Sequence, residues 1–233
     1  MKILVTSDWH GDATTAGVER YEDVEAAALE VLDAAINDAG LVDAFFFLGD
    51  LTDPDPPRCW RAAELAIRIA KELHTAGIPS VWLTGNHDVL EDGNGSHTLQ
   101  PLKATGFGWV VDGPGVSSVI PGIKFLALPF VARSNNYDPI EVVKRSAGES
   151  VQLVVGHLNV EGIEPGSESS EFARGRDVFL PLAQIKQAWP NAVVCNGHYH
   201  RPQEYHGVHV PGSLVRLTRA EANNTPGYLM IEV

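Results

Sequence analysis

The sequence predicts an α/β fold: two β-sheets packed face to face with helices on the outside, in αββα layers. Two observations carry that expectation. In the first third, three wholly apolar runs alternate with two segments of helical spacing, a β-α-β-α-β order whose strands need helices over both faces of the sheet. From about residue 116 the character changes to hairpin-like runs and short strands between turns, enough for a second sheet. No repeat, low-complexity tract or linker interrupts the chain, so residues 1–233 are read as a single domain, an ordinary length for one.

Taken in order, Lys2 to Thr6 reads as a buried strand around Ile-Leu-Val. Val24, Ala27, Ala28, Val31, Leu32 and Ala35 recur at helical spacing, giving a helix packed on one face that ends near Gly40. Ala44 to Leu48, with three consecutive phenylalanines, is the second strand. Asp53-Pro54-Asp55-Pro56-Pro57 is a rigid loop by composition. Trp60 to Ala76 is the second helix, with Leu65, Ile69 and Leu73 on its core face and Gly77 closing it. Ser80 to Leu83 is the third strand. Val116 to Ile120 and Ile123 to Leu128 read as a hairpin about Pro121-Gly122, followed by a helix over Asp138 to Ala147 and a strand over Val151 to Val155. Glu161 to Arg176 is a long polar loop of the kind that usually has a function. A helix over Leu180 to Trp189, a strand over Ala192 to Cys195, and short strands from Pro202 to a closing run at Tyr228 to Val233 complete the reading.

Bulk properties bound the function. A chain of 233 residues buries enough core to need no disulfides, and its two cysteines, Cys59 and Cys195, form no framework. That usage fits a reducing, cytoplasmic setting. The apolar start is too short for a signal peptide, and no run approaches the ~20 apolar residues of a membrane span, so a soluble protein without membrane contact is expected. The net charge of −13 argues against a stand-alone, sequence-tolerant DNA binder.

The chemistry concentrates at strand ends. Five of them finish in metal-ligand residues: Asp8-Trp9-His10, Gly49-Asp50, Gly85-Asn86-His87-Asp88, Gly156-His157 and Gly197-His198-Tyr199-His200. Residues two apart at a strand end point to one side, so Asp8 with His10 and His198 with His200 each form a pair. A carboxylate and an imidazole so placed suit Zn, Mn or Fe. Asp-x-His alone carries little, and a lone Gly-Asp is more often a turn. Together the five blocks fall where ligands of open α/β sheets sit, at the carboxyl ends of strands. They are expected to converge on a pair of metal ions in a protein that cleaves phosphate esters.

The order Asp-x-His, Gly-Asp-x-x-Asp, Gly-Asn-His-Asp, Gly-His, Gly-His-x-His, from residue 8 to residue 200, resembles the calcineurin-like metallophosphoesterases. The resemblance implies a dinuclear centre in a two-layer β-sandwich flanked by helices. One metal is then held by Asp8, His10, Asp50 and His200, the other by Asp50, Asn86, His157 and His198, with Asp50 as the bridge. A metal-bridging hydroxide is the implied nucleophile, because bound water loses its proton near pH 7 in favourable sites, and the ions also neutralise charge on the reacting phosphate. His87 is implied as general acid at the leaving group, and Asp53 resembles the carboxylate that orients it, with a plain turn Asp before Pro54 as the alternative. Asp88 is read as a support of the loop.

A narrower resemblance, to SbcD-type nucleases, rests on Val160-Glu161-Gly162, Gly166-Ser167-Glu168 and Pro211-Gly212-Ser213-Leu214-Val215-Arg216. It implies phosphodiester cleavage, Mn²⁺ as the preferred metal (with Fe, Zn or Ni as alternatives), DNA among the substrates, and a partner subunit or homodimer. Arg133, Arg216 and Ser213 are the candidate substrate-binding residues. Three features depart from that branch: Asp53 stands where those nucleases typically carry a His, the chain stops at Val233, and the net charge is acidic. Three readings therefore stay open: a phosphodiesterase acting on DNA, small diesters or cyclic nucleotides; a phosphomonoesterase or protein phosphatase; and, ranked last because every ligand position is filled, a non-catalytic binding module.

Overall fold

The computed structural model describes residues 1–37, 41–53, 60–90, 95–132, 137–165 and 178–233. The proline loop after Asp53, Gly40, Gly166-Ser167-Glu168 and Arg133 lie outside the described residues.

The chain begins with β1 (Lys2–Thr6), followed by a small ribbon of β2 (Thr14–Thr15) and β3 (Val18–Glu19), then α1 (Tyr21–Ile36). β4 (Ala44–Phe47), α2 (Trp60–Thr75) and β5 (Ser80–Leu83) complete the first half. α3 (Gln100–Thr105), β6 (Trp109–Val111), β7 (Gly115–Ser117), β8 (Phe125–Leu128), α4 (Pro139–Ser146) and β9 (Leu153–Gly156) follow. The last elements are α5 (Leu182–Ala188), β10 (Val193–Asn196), β11 (Gln203–Tyr205), β12 (Val208–Val210), a 3₁₀ turn at Arg219–Glu221, and β13 (Leu229–Glu232).

One sheet has the order β13-β1-β4-β5-β6 and the other β11-β12-β10-β9-β8-β7. β1, β4, β5 and β6 run parallel, with β13 antiparallel on the edge beside β1. In the second sheet β8, β9, β10 and β12 are parallel, while β7 and β11 pair antiparallel on the flanks. Alternation along each strand then builds the layers. Ile3, Val5, Ala44, Phe46, Val81 and Leu83 of the first sheet meet Phe125, Ala127, Leu153, Val155 and Cys195 of the second in one buried cluster. Leu4, Phe45, Phe47 and Trp82 turn outward under α1 and α2, while Leu126, Leu128, Val154 and Val194 pack under α4 and α5. This is the α/β architecture of two sheets flanked by helices that the sequence predicts.

The expected elements are present with shifted ends, and the differences have causes. The predicted hairpin pairs only Gly115–Ser117 with Phe125–Ala127. Its turn folds inward because Ile120 and Ile123 are buried between the sheets instead of extending the strands. α3 and β6 were not expected: α3 buries only Leu102, and β6 is a half-exposed edge, so neither leaves a clear periodic signal. Among the described residues no helix is long and apolar enough to cross a membrane.

Candidate metal centre

Parallel strands put their carboxyl ends on one rim. β1, β4 and β5 of one sheet and β9 and β10 of the other deliver, in turn, Asp8 and His10, Asp50, Asn86 and His87, His157, and His198 and His200. Backbone bonds lace these ends together: Asp8 N–H donates to Gly49 O (2.9 Å), His10 N–H to Asp50 O (3.1 Å) and Gly197 N–H to Gly156 O (2.9 Å). Asp8, His10, Asp50 and His198 all have positive φ (54°, 45°, 60° and 79°). Left-handed backbone at a non-glycine residue costs about 1–3 kcal/mol and is held only where surrounding structure over-determines it. Four such residues in one cluster mark where strain aims side chains.

The donor atoms form two groups around a shared carboxylate. Asp8, His10 and His200 place one ligand atom each within 4.8 Å of one another, and so do Asp50, His157 and His198. Asp50 Oδ2 stands between the groups, 3.8 Å from His10 Nε2 and 3.2 Å from His157 Nε2. His10 Nε2 and His200 Nε2 are 3.0 Å apart. Asn86 Oδ1 lies 3.0 Å from both His157 Nε2 and His198 Nδ1. All seven residues sequence reasoning offered as ligands are therefore brought together and buried.

The far sides of the imidazoles are held as metal-binding histidines usually are. His157 Nδ1–H donates to Leu48 O, His200 Nδ1–H to Glu221 Oε1 (3.0 Å), and His198 Nε2–H to Asn159 Oδ1 (3.1 Å). In the neutral rings that bind a metal, each bond sets a tautomer that leaves Nε2 of His157 and His200, and Nδ1 of His198, turned to the centre as an acceptor. His198 Nδ1 and Asn86 Oδ1 then face each other as two acceptors 3.0 Å apart, an arrangement that a cation relieves. Asp8 Oδ1 is buried with no hydrogen-bond partner among the described residues, while Oδ2 accepts from Ser7 Oγ and from His198 N–H.

The electrostatics agree. Burial, with the Asp50 charge beside it, raises the Asp8 pKa to about 7. For Asp50, burial pushes upward, but His157, His87 and His10 together hold the pKa well below the carboxylate range. Burial would lower the His157 pKa, yet the charge and hydrogen bond of Asp50 raise it to about 9. His10 is pushed well below its ordinary value by burial and by the neighbouring His200 and His87. An oxygen and nitrogen donor set of this kind, with an unpartnered buried carboxylate oxygen, fits divalent cations, whose charge dominates local pKa behaviour.

His87 sits on the rim, with its side chain 16% exposed and Nε2 3.9 Å from Asp50 Oδ2. Its ring meets His10 edge-on at 4.9 Å, and its N–H donates to Asp50 Oδ1 (2.9 Å). His10, Asp50 and His87 also lie within 4.8 Å of one another. Asp88 ties the loops: Oδ2 accepts from Asp50 N–H and Gly85 N–H (2.9 Å each), and Oδ1 from Leu51 N–H (3.0 Å) and Thr98 Oγ. Burial and the Asp50 charge raise its pKa, opposed by those donors. It supports the loops, as the sequence reading had it. Asp53, half-buried beside this turn, donates its backbone N–H to Asp12 Oδ1.

The candidate substrate residues fare differently. Ser213 is 1% exposed, and its hydroxyl donates to Val215 O (2.8 Å) beside Glu221, so its contacts serve the support of His200 and not an open substrate surface. Arg216 is exposed and donates Nε–H to Asn224 O (2.9 Å). Arg133 lies outside the described residues. Sequence reasoning missed Glu221, Asn159 and Asn196. Asn159 follows His157 by two and so shares its side, a usable signal. Asn196 binds Leu158 N–H and C=O across β9 and β10 (3.2 and 2.8 Å), and Glu221 is a lone acid in a polar tail with no local pattern.

The family model described as calcineurin-like phosphoesterase matches residues 1–202. No curated protein matches the chain. Among solved structures, a dimetal phosphatase from Danio rerio superposes with a TM-score of 0.55 at 12% identity, covering 99% of this chain and 91% of that one. A second solved structure superposes with a TM-score of 0.52 at 11% identity, covering 91% and 90%. Identities this low bear on the fold alone, and that fold is the same two-sheet architecture.

Proposed function

Given that this chain belongs to the calcineurin-like phosphoesterases, we propose that it hydrolyses phosphodiesters at a dinuclear centre. Asp8, His10, Asp50 and His200 would hold one divalent cation, and Asp50, Asn86, His157 and His198 the other. The observation that carries the reading is Asp50, whose Oδ2 faces His10 Nε2 at 3.8 Å and His157 Nε2 at 3.2 Å, a carboxylate shared by two donor groups. Bound there, two divalent ions supply Lewis acidity toward the phosphoryl group and toward water. Mn²⁺ is the metal of the proposal, with Fe, Zn or Ni as alternatives.

The chain's own residues do the rest. Burial of all seven donors keeps bulk water from competing with the phosphate charge. Asp50 Oδ1 accepts the His87 N–H and so fixes the His87 backbone beside the centre, while the His10 ring backs its imidazole. From the rim His87 would protonate the departing alkoxide, with Asp53 as the carboxylate that orients it. The preference for a diester rests on charge. A monoester dianion calls for more positive partners around its free oxygens. In the sequence only Arg58 follows closely on the Gly49-Asp50 block, beyond three prolines, and among the described residues Arg201 pairs with Glu164 and Arg216 with Asn224 O. DNA, reached with the help of a partner subunit or a second copy, is the nuclease version of the proposal. The second reading, a phosphomonoesterase, is favoured by the structural likeness to a protein called a dimetal phosphatase.

The test is an assay of the Mn²⁺-loaded protein on a model diester, a model monoester, and single- and double-stranded DNA, with Asp50→Ala as the metal-deficient control. Diester cleavage that disappears in Asp50→Ala is expected. Cleavage of the monoester alone overturns the proposal, and cleavage of the small diester without either DNA removes its nuclease version.

A further inference from the structure

Glu221 is fully buried, although it lies in the irregular tail beyond the 1–202 span of the family match. A buried carboxylate is retained only where donors surround it. Here Oε1 accepts from His200 Nδ1–H (3.0 Å) and Thr218 Oγ (3.1 Å), and Oε2 from Leu217 N–H (2.7 Å), with Ser213 Oγ 3.3 Å away. The same tail grips His200 from behind: Ser213 N–H and Asn224 Nδ2 both donate to His200 O (3.1 and 3.2 Å). It also reaches the opposite ligand strand, where Leu214 N–H donates to Asp8 O (3.4 Å) and Ser7 Oγ lies 3.5 Å from Gly212 O.

We propose that Glu221 is a positioning residue for the ion site formed by Asp8, His10 and His200: its carboxylate keeps the His200 proton on Nδ1 and so presents the Nε2 lone pair to the ion. The proposal rests on the dinuclear reading above. The tail from Ser213 to Asn224 is then a clamp on one of the two sites, while His157 and His198 on the other site are held by Leu48 O and Asn159 instead. The asymmetry makes a sharp expectation for Glu221→Gln. The donor at Leu217 N–H draws the amide oxygen, which turns the amide NH₂ toward His200 Nδ1. Nδ1 must then accept, and the proton moves to Nε2, the atom that faces His10 Nε2.

The experiment counts Mn²⁺ sites by calorimetry on wild type, Glu221→Gln, Glu221→Asp and Thr218→Val, with imidazole ¹⁵N spectra of the metal-free proteins. Wild type is expected to bind two ions. Glu221→Gln should weaken one site about 10- to 100-fold, the usual effect of losing a histidine's outer partner, and leave the other within about twofold. Its His200 signal should change from the Nδ1–H to the Nε2–H tautomer. Thr218→Val removes a different donor from the same carboxylate and should keep both sites and the wild-type tautomer. If Glu221→Gln does not fold, Glu221→Asp, which keeps the charge but shortens the reach, should lose the same single site. Two intact sites in a folded Glu221→Gln or Glu221→Asp overturn the proposal, as does equal loss of a site in Thr218→Val. A wild type binding fewer than two ions overturns the dinuclear reading and this proposal with it.

Discussion

At the scale of single residues, the centre separates groups that face inward from a histidine that waits at the edge. The side chains of His10, Asp50, His157 and His200 are at most 10% exposed, whereas that of His87 is 16% exposed and carries its imidazole over the rim. A group that hands a proton to a leaving alkoxide must reach the substrate, and loss of such a group lowers turnover about 10²- to 10⁴-fold. His87→Ala is therefore expected to lower kcat by that order while metal content, measured on the same preparation, stays at two ions per chain. Loss of a metal equivalent in that variant would make His87 a ligand, a role its 4.8 Å grouping with His10 and Asp50 makes worth measuring.

At the scale of elements, turns after the strands set the spacing of the donors. Gly85, between β5 and Asn86, has no room for a side chain: a Cβ there would lie 2.1 Å from Asp50 Oδ1 and 2.4 Å from Asp50 N. Gly49 meets the same crowding from the other side, with a φ of 98° and His157 Nδ1 2.5 Å from where its Cβ would stand. The turns after β4 and β5 thus interlock, and Asp88 pins them by accepting from Asp50 N–H, Leu51 N–H and Gly85 N–H. Gly85→Ala must push Asp50 aside. The expected outcome is a loss of about 1–3 kcal/mol in a urea titration, typical of overpacking, together with loss of both ions, since in the proposed centre Asp50 would serve both. A variant that keeps two ions at wild-type affinity would show that the turn yields elsewhere.

At the scale of the molecule, the centre is a seam. Asp8, Asp50 and Asn86 come from one sheet, and His157, His198 and His200 from the other, so ions bound as proposed would tie together the rims of two sheets that otherwise meet through apolar side chains. A ligand present at a hundred times its Kd stabilises by about 2.7 kcal/mol per site. For a domain of this size that corresponds to roughly 5–11 °C in Tm for each site. Thermal melts with saturating Mn²⁺ and with a chelator should differ by at least that much. Equal melting temperatures would mean that the ions bind too weakly at working concentrations to act as a seam.

The layered α/β fold was legible because strand burial writes itself locally. Three apolar runs and two helical stripes sit next to one another in sequence, and alternation along Ile3-Leu4-Val5 assigns each residue to a face. The donor residues were legible for the same reason, since each block follows a strand and four of the five open on a glycine. The short, half-exposed β6, the inward turn at Ile120 and Ile123, and the role of Glu221 were not, because each depends on what the chain meets in space. Ser213 shows the difference most plainly. As Pro-Gly-Ser it read as a substrate-facing turn, but the fold buries it beside Glu221. The sequence by itself determined which residues stand at the strand ends and what chemistry they favour, because the periods of strand and helix are local. Only the tertiary structure decided which ring nitrogen faces the centre, since tautomers depend on partners as far off as Leu48 and Glu221, 109 and 21 positions away along the chain.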